Sequence, residues 1–516
     1  MADAGAEIGA GADAGAGAEA GAGAGALGRP AELGVAIVGS GFGGLGAAIR
    51  LRQEGIDFAV FERADELGGT WRDNSYPGCA CDVPSHLYSF SFAPNPGWTR
   101  SFSGQPEIFQ YLKDCADRFG VRNTIKFGHE VLAARWDDTA SRWQLDTTGG
   151  RYTARVLVAA AGPLNEPSIP DLKGLGEFSG AVFHSARWDH DVDLTGRDVA
   201  VIGTGASAVQ FVPAIQPYVR SLRIFQRTPP WVVPRRDRPL TRAERRLYAA
   251  LPGAQRLSRW SIFWGRELFA LGFLHPRLSV GARRLAQRHL RRQVSDPQLR
   301  ARLQPEYTIG CKRILVSNDY LPALTRDNVE VVTEAIEAVE TDAIVTTDGQ
   351  RHRVDTIVFG TGFQVAEMPI ADRVRGREGR TLADVWQGSP RAYLGTSVPG
   401  FPNLFLLLGP NTGLGHNSVV MMIESQIEYV LKALRYLRRH GLATVEPRAE
   451  AERGFVSAVD QRMQRTVWSR GRCRAWYFDR TGRNFSIWPG YTWAYRRALR
   501  RFDPIQHATV GGEAGG

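Results

Sequence analysis

The stretch Val35-Ala36-Ile37-Val38-Gly39-Ser40-Gly41-Phe42-Gly43-Gly44 decides the fold of the first half of this chain. Its four leading apolar residues predict a short buried strand, and the Gly-x-Gly-x-x-Gly spacing predicts a tight turn that opens a helix. Helical spacing continues to Leu51, and a second apolar run over 58–61 ends at Glu62, 23 residues after Gly39. Strand, glycine turn, helix, strand and acid predict a dinucleotide site whose carboxylate binds ribose hydroxyls.

The same arrangement returns later in the chain. An apolar run over 199–202 leads into Gly203-Thr204-Gly205-Ala206-Ser207-Ala208, and the next run, 222–225, ends at Gln226-Arg227-Thr228. Gln226 is again 23 residues after the first glycine, so the acid of the first unit is replaced and an arginine follows. A carboxylate there would repel a 2′-phosphate, whereas a guanidinium binds it with two hydrogen bonds.

These differences assign a nucleotide to each turn. The first unit is expected to hold a nucleotide with a free 2′-hydroxyl, such as FAD, and the second is expected to hold NADPH. A role for Arg227 as an ordinary surface arginine stays open, since the chain is rich in arginine. The cofactor-binding residues expected from the two turns are Gly39, Gly41, Phe42, Gly44, Glu62, Gly203, Thr204, Gly205, Ser207, Ala208, Arg227 and Thr228.

Composition narrows the class of protein. The chain has 516 residues, of which 43% are hydrophobic, and a net charge of +11. This length predicts roughly two to four domains with ample core. We assign the basic excess to anionic cofactors and arginine-rich helices, because no recognised nucleic-acid motif is present. Five cysteines argue against a disulfide-stapled secreted protein. No uninterrupted apolar run of about 18 residues occurs, so we expect no transmembrane segment and a cytoplasmic location.

The first residues of the chain and its midsection differ in composition from the rest. Residues 1–28 are almost entirely Ala and Gly with four acids, and they lack the features of a signal peptide. Such a segment predicts a disordered tail. The interval from about 235 to 305 is rich in Arg, Leu and Trp. It predicts amphipathic helices, which are either covered by the protein or in contact with a membrane surface or partner.

The expected organisation follows from two strand-to-glycine turns, 156–162 and 355–363, which we interpret as crossovers between the two nucleotide domains. The NADP domain is then inserted in a discontinuous FAD domain, giving an α/β fold with two Rossmann-like domains. The expected segments are a disordered tail over 1–30, the N-terminal segment of the FAD domain over 31–165, a linker over 166–190, the NADP domain over 191–345 with its helical insertion, the C-terminal segment of the FAD domain over 346–505, and a disordered tail over 506–516.

A motif between the two turns gives a family resemblance. The stretch Phe178-Ser-Gly180-Ala-Val-Phe-His184-Ser-Ala-Arg-Trp188-Asp189 resembles the F-x-G-x-x-x-H-x-x-x-W-(P/D) fingerprint of the class B flavoprotein monooxygenases. Within that flavin-containing monooxygenase superfamily it is most similar to the type I Baeyer–Villiger monooxygenases. The resemblance implies that His184 is a structural or hinge histidine more than a proton donor.

Further stretches extend the resemblance over about residues 34–500. Gly68-Gly69-Thr70-Trp71 resembles the segment that covers the flavin, and Tyr307-Thr-Ile-Gly-Cys-Lys312-Arg313 resembles the segment that supplies a nucleotide lysine and a catalytic arginine. Phe359 departs from the usual Ala-Thr-Gly pattern at the last glycine turn. The resemblance implies further cofactor contacts and a catalytic pair: Thr70, Trp71, Asp82, Tyr88, Val131 and Lys312 bind cofactor, and Arg313 and Asp82 are catalytic. No metal site is expected, because no cysteine or histidine spacing completes one.

The resemblance also implies a reaction. NADPH reduces FAD, O2 is activated as a C4a-peroxyflavin, and one oxygen is inserted beside a ketone carbonyl to give an ester or lactone. Arg313 would stabilise the anionic peroxide and the oxyanion that follows, and Asp82 would orient Arg313. Two alternatives stay open: a monooxygenase that acts on sulfur or nitrogen, and a flavin-binding redox or interaction module without oxygenase turnover. The ketone and the oligomeric state are not specified.

Overall fold

The structure is a computed structural model that describes residues 30–366, 368–473 and 475–511. It contains twenty strands within these ranges. In chain order they are β1 (Ala31–Val38), β2 (Phe58–Phe61), β3 (Ile125–Lys126), β4 (Val131–Asp137), β5 (Arg142–Thr147), β6 (Gly150–Ala159), β7 (Ala181–His184), β8 (Asp198–Ile202), β9 (Ser221–Phe225), β10 (Val232–Val233), β11 (Leu315–Val316), β12 (Val329–Val332), β13 (Ile336–Glu340), β14 (Ala343–Thr346), β15 (Arg351–Arg353), β16 (Thr356–Phe359), β17 (Val374–Arg375), β18 (Leu404–Leu406), β19 (Leu442–Pro447) and β20 (His507–Gly511).

The helices cover the sheets and form the insertion. In chain order they are α1 (Phe42–Gln53), α2 (Thr70–Asp73), α3 (Gln105–Arg118), α4 (Ala208–Ile215), α5 (Arg242–Ala250), α6 (Pro252–Leu274), α7 (Val280–Gln293), α8 (Pro297–Arg302), α9 (Tyr320–Ala323), α10 (Ile370–Arg373), α11 (Leu382–Trp386), α12 (Val419–Arg439), α13 (Ala449–Met463), α14 (Val467–Arg470) and α15 (Thr492–Ala498). Short 3₁₀ turns occupy 122–124, 175–177, 185–187, 276–279, 377–379 and 504–506.

The first sheet carries the first glycine turn. Its order is β17-β4-β5-β6-β1-β2-β3, and β18 also pairs with β6. The pairs β1–β2 and β1–β6 are parallel, so the carboxyl ends of β1 and β2 lie at the same edge. The buried run of β1 and the fully buried β2 explain why both read as apolar in sequence. This edge is where a doubly wound sheet places its ligand.

The second sheet has the order β12-β9-β8-β16-β7 and is parallel throughout. All of its strands lie in sequence between β6 and β17 of the first sheet, so the second domain is inserted in the first. The structure confirms an α/β fold with two dinucleotide-binding domains. Beside the second sheet, β13, β14 and β15 form an antiparallel sheet of their own.

The observed domain boundaries differ from the expected ones. Strands β7 and β16 pair within the second sheet, although the expected boundaries placed them in the linker and in the C-terminal segment of the FAD domain. Side-by-side pairing of strands distant in sequence leaves no local signal that sets such a boundary. The expected disordered end is wrong over 507–511, because His507–Gly511 pairs with Leu442–Pro447, and its remaining residues 512–516 lie outside the described residues. The expected tail over 1–30 lies outside the described residues except for Pro30.

The expected helical insertion contains α5 to α8, which follow one another between 242 and 302. Helix α5 begins at a capping box in which Thr241 and Glu244 satisfy each other's backbone N–H groups. Helix α6 is 23 residues long. Among the described residues, no helix is long and apolar enough to cross a bilayer.

Candidate active site between the two nucleotide-binding turns

The first glycine turn is built for close backbone approach. Gly39 has φ of +95°, and a Cβ at this position would lie 2.8 Å from the carbonyl oxygen of Ala160. At Gly44 a Cβ would overlap the carbonyl oxygen of Gly39, so only glycine lets α1 start this near the turn. The N-terminus of α1 faces the cavity at the edge of the first sheet, where its dipole favours a pyrophosphate.

Glu62 follows β2 at the same edge and is buried. Its Oε2 accepts hydrogen bonds from the backbone N–H (3.0 Å) and hydroxyl (2.6 Å) of Ser40, and its Oε1 accepts one from Arg72 (2.9 Å). Burial acts to raise the pKa of Glu62, but the Ser40 hydrogen bond and the Arg72 charge together hold it below its usual range. An ionised acceptor beside a glycine turn fits an adenosine ribose with free hydroxyls.

We expect Glu62→Ala to reduce FAD affinity by roughly tenfold or more, since a charge-assisted hydrogen bond is worth about 1.5–3 kcal/mol. The measurement is the flavin retained after gel filtration, together with titration of the apoprotein with FAD. Glu66→Gln is the matched control, because Glu66 instead pairs with Arg122 (2.8 Å). Equal flavin retention by both variants would contradict the assignment of Glu62.

The second turn repeats this geometry between β8 and α4. Gly203 has φ of +106°, and its Cβ would lie 2.6 Å from the carbonyl oxygen of Gly360. Arg227 follows β9 and is exposed, and Lys312 lies close enough that the Arg227 charge acts on it. Burial, and then this neighbouring cation, lower the pKa of Lys312. Two adjacent cations facing one cavity fit a 2′-phosphate, whose negative charge would offset their repulsion.

Asp82 and Arg313 form a two-pronged ion pair across 231 residues of sequence. Arg313 Nε donates to Asp82 Oδ2 and Nη2 donates to Oδ1, both at 2.8 Å. Burial acts to raise the pKa of Asp82, but the Arg313 guanidinium holds it below its usual range; Asp82 in turn raises the pKa of Arg313. A guanidinium fixed in this way stays charged at every working pH.

One cavity of about 1260 Å³ joins both turns to this ion pair. Among the residues predicted to bind cofactor or to be catalytic, all except Gly44 and Ala208 line it. Of these two, Gly44 lets α1 approach the carbonyl oxygen of Gly39, and Ala208 is the buried first residue of α4. The lining residues among the predictions are Gly39, Gly41, Phe42, Glu62, Thr70, Trp71, Asp82, Tyr88, Val131, Gly203, Thr204, Gly205, Ser207, Arg227, Thr228, Lys312 and Arg313. Their individual roles stay predictions.

The structure adds residues that sequence reasoning missed. Arg72 neutralises Glu62, and Arg266 of α6 donates to the backbone carbonyl of Asp82 (2.9 Å). Gln210 of α4 accepts a hydrogen bond from the backbone N–H of Ala80 (3.2 Å) and donates to its carbonyl (2.9 Å), which joins the two domains. No local sequence pattern pointed to Arg72, Arg266 or Gln210, because each acts on a segment that the fold brings to it.

A disulfide also shapes the cavity wall. It links Cys311 to Cys473, although the sparse cysteines gave no reason to predict it. It ties the segment that carries Lys312 and Arg313 to the segment that carries Tyr477. Burial raises the pKa of Tyr477 to about 12, so this phenol is neutral beside the Arg313 charge.

The fingerprint residues lie behind the cavity rather than in its wall. A Cβ at Gly180 would overlap the carbonyl oxygen of Asp355, and Trp188 packs on Phe183 with ring centroids 5.1 Å apart. The Nδ1 of buried His184 accepts a hydrogen bond from the backbone N–H of Ala186 (3.1 Å). Phe178 packs in the core of the second domain and Asp189 is exposed. These positions support a structural role for the motif.

Burial lowers the pKa of His184 to about 4. An unfolded histidine takes up a proton below about pH 6.5, whereas the folded protein leaves His184 neutral down to about pH 4. We therefore expect this residue to lower the free energy of unfolding by about 1.4 kcal/mol per pH unit as pH falls through that window. Urea unfolding at several pH values gives the free energy of unfolding as a function of pH. Below pH 6.5 this free energy should fall less steeply with decreasing pH in His184→Asn than in His190→Asn, whose replaced histidine is exposed. Equal slopes would contradict this expectation.

Comparisons with known proteins identify the family of this chain. The NAD(P)-binding Rossmann-like domain family matches residues 37–104, and the L-lysine 6-monooxygenase/L-ornithine 5-monooxygenase family matches residues 85–225. The chain is 54% identical over 480 residues to a Baeyer–Villiger monooxygenase of Streptomyces coelicolor, and the aligned region covers 92% of each of the two chains.

Solved structures show the same relationship. A closed cyclohexanone monooxygenase is 28% identical with a TM-score of 0.85, over 94% of this chain and 100% of that one. OTEMO in complex with FAD and NADP is 27% identical with a TM-score of 0.83, over 93% of this chain and 100% of that one. With two nucleotide turns, one shared cavity and these relatives, the chain belongs to the Baeyer–Villiger monooxygenases, which use FAD, NADPH and O2 to insert an oxygen atom beside a ketone carbonyl.

Proposed function

We propose that Arg313 is the catalytic cation of this chain and that Asp82 is its positioning residue, in the conversion of an apolar ketone to an ester or lactone. The observation that carries the proposal is the Asp82–Arg313 ion pair in the wall of the cavity that both nucleotide turns share. The overall balance is ketone, O2, NADPH and a proton giving ester, water and NADP⁺.

The chain's residues divide the work. Glu62 and the first turn would hold FAD, and Arg227 and Lys312 would hold the 2′-phosphate of NADPH. When bound, FAD accepts a hydride from NADPH and activates O2. The Arg313 side chain, 36% exposed into the cavity, presents a permanent positive charge to oxygen that becomes negative during attack on the carbonyl.

Asp82 fixes the direction of that charge. It occupies Nε and Nη2 of Arg313, which leaves the Nη1 edge for an oxygen anion in the cavity. Removal of Asp82 would leave the guanidinium free to rotate and would weaken its contact with the reacting oxygen. Trp71 and Tyr88, joined by a hydrogen bond of 3.1 Å, close one side of the cavity wall against water.

The substrate class follows from the rest of the wall. Apolar side chains lie in the same cavity, and they favour an apolar ketone over a charged one. They include Val365, Leu408, Leu414, Ile423, Phe485 and Ile487.

The test is turnover of the FAD-loaded enzyme with NADPH and ¹⁸O2 on matched panels of ketones, sulfides and amines. We expect one ¹⁸O atom in an ester or lactone from apolar cyclic or linear ketones, detected by mass spectrometry. Oxygenated sulfides or amines with no ester from any ketone would favour the heteroatom alternative. NADPH consumption that yields only hydrogen peroxide would overturn the proposal for both substrate classes.

A further inference from the structure

Helix α6 turns polar as well as apolar side chains towards the protein, since Gln255 and Glu267 are buried on it together with Phe263, Ala270 and Phe273. Gln255 donates to the carbonyl of Asn95 (2.6 Å), and Arg259 donates to the carbonyl of His86 (2.8 Å). Further along the same buried face, Glu267 accepts hydrogen bonds from neighbouring polar groups. These contacts fix the rotation of the helix, so its other face must point outwards.

The outward face is apolar. Leu257, Trp260, Trp264 and Leu268 recur every three or four positions, which keeps these four on one side of the helix. Leu268 is 69% exposed, Trp260 is 60% exposed and Trp264 is 40% exposed, and the two tryptophan rings lie 6.2 Å apart. The large apolar side chains exposed on α6 are Leu257, Trp260, Trp264, Leu268 and Phe269.

Neighbouring elements add to this surface. The residues before α6, the turn that follows it and the start of α7 also expose large apolar side chains, at Leu247, Leu251, Leu278, Val280 and Leu285. Single exposed apolar residues are ordinary, but a group on consecutive elements marks a contact surface. We call the exposed apolar residues of α5, α6, α7 and their connections the insertion face.

The charge around the insertion face is strongly positive. Residues 242–293 contain twelve arginines and only two acidic residues, Glu244 and Glu267. Glu244 is paired with Arg238 (2.6 Å), and Glu267 lies in the buried hydrogen-bond group. Within the described residues of the chain, Arg259 is the one arginine of these twelve with a carboxylate oxygen within 4.0 Å. The insertion therefore offers many cations that pair with no carboxylate in the part of the chain that the structure describes.

We propose that the insertion face docks on the surface of an anionic phospholipid bilayer. Tryptophan and leucine side chains suit the depth of the lipid headgroups, and arginines beside them bind lipid phosphates. The charge selects this occupant over a second copy of the chain, because two such faces would oppose cation to cation. The proposal is independent of the roles assigned to Arg313 and Asp82.

The opposite face of α6 contacts the candidate active site. Arg266 of this helix donates to the backbone carbonyl of Asp82 (2.9 Å), and Asp82 holds Arg313. A bilayer bound to the insertion face would therefore lie one helix away from the candidate active site.

The test is sedimentation of the full-length FAD-loaded enzyme with sucrose-loaded vesicles. We expect binding to phosphatidylcholine vesicles that contain phosphatidylglycerol to be roughly tenfold or more stronger than binding to phosphatidylcholine alone, and to weaken with salt. The double variant Trp260→Glu, Leu268→Glu should lose roughly tenfold or more of that binding, because both side chains lose apolar burial. Leu132→Glu with Ile505→Glu is the matched control, since both residues are exposed and lie outside the insertion. The control should bind like the unmodified enzyme.

A second variant separates the charge from the apolar contact. Arg283→Gln, Arg284→Gln and Arg288→Gln together should remove most of the preference for phosphatidylglycerol. Flavin content and melting temperature must stay unchanged in every variant that is compared. The proposal is overturned if the enzyme sediments with neither vesicle, or if Trp260→Glu, Leu268→Glu binds as well as the unmodified enzyme. A dimer seen by light scattering and lost in that variant, without vesicle binding, would instead assign the face to a second copy.

Discussion

Arg313→Ala is expected to lower the rate of ester formation by about 10³-fold, while NADPH still reduces the flavin near the normal rate. Loss of one preorganised charge or donor at a developing oxyanion typically costs about 10²–10³-fold. Arg313 is further expected to matter only after flavin reduction, because its charge faces the oxygen that becomes negative. Stopped-flow absorbance separates the two half-reactions, and product analysis measures the ester.

Two variants make this result specific. Arg313→Lys should recover only a fraction of the activity, because an ammonium cannot keep the two-pronged contact with Asp82. Arg235→Ala is the matched control, since Arg235 reaches the carbonyl of Cys81 (3.3 Å), next to Asp82, without lining the cavity. Ester formation retained in Arg313→Ala, or lost equally in Arg235→Ala, would reject the catalytic assignment.

The second large effect is expected for the combined change Arg227→Ala, Lys312→Ala. Hydrogen bonds to charged groups contribute about 1.5–3 kcal/mol each, so kcat/KM for NADPH should fall by roughly 10²-fold or more. NADH has no 2′-phosphate, and its kcat/KM should change little. Steady-state kinetics with both nucleotides give the ratio directly.

Arg220→Ala provides the control for that experiment. Arg220 lies just before β9 and binds Asp198, whereas Arg227 follows the carboxyl end of the same strand, where the cavity lies. The control should leave the preference for NADPH unchanged. Parallel losses with NADPH and NADH in the combined variant would show that the two cations do not read the 2′-phosphate.

The two nucleotide sites could be predicted from local sequence, because each site is formed by residues that are close together along the chain. Gly39 and Gly203 each need positive φ within a few residues of a strand, and a residue 23 positions further on ends the next strand at the same sheet edge. Fixed strand and helix lengths thus convert sequence spacing into position. Asp82 and Arg313 follow from the family resemblance and not from local spacing, because 231 residues separate them.

Other features depend on contacts between distant segments. The disulfide between Cys311 and Cys473, the contact of Arg266 with Asp82 and the pairing of β7 and β16 in one sheet join segments that no local pattern relates. The pairing of β19 with β20 likewise ordered residues 507–511, which were expected to belong to a disordered segment. Such contacts are selected by the packing of the whole chain.

In helix α6, one property follows from the sequence and another follows only from the tertiary structure. The sequence by itself determined that this segment is an amphipathic helix, because the 3.6-residue period of apolar and polar residues is local. It did not determine which face is buried, since the period is the same when the helix is turned around. Only the tertiary structure decided that, because the fold supplies buried polar partners for Gln255, Arg259 and Glu267 and leaves Trp260 and Leu268 outside.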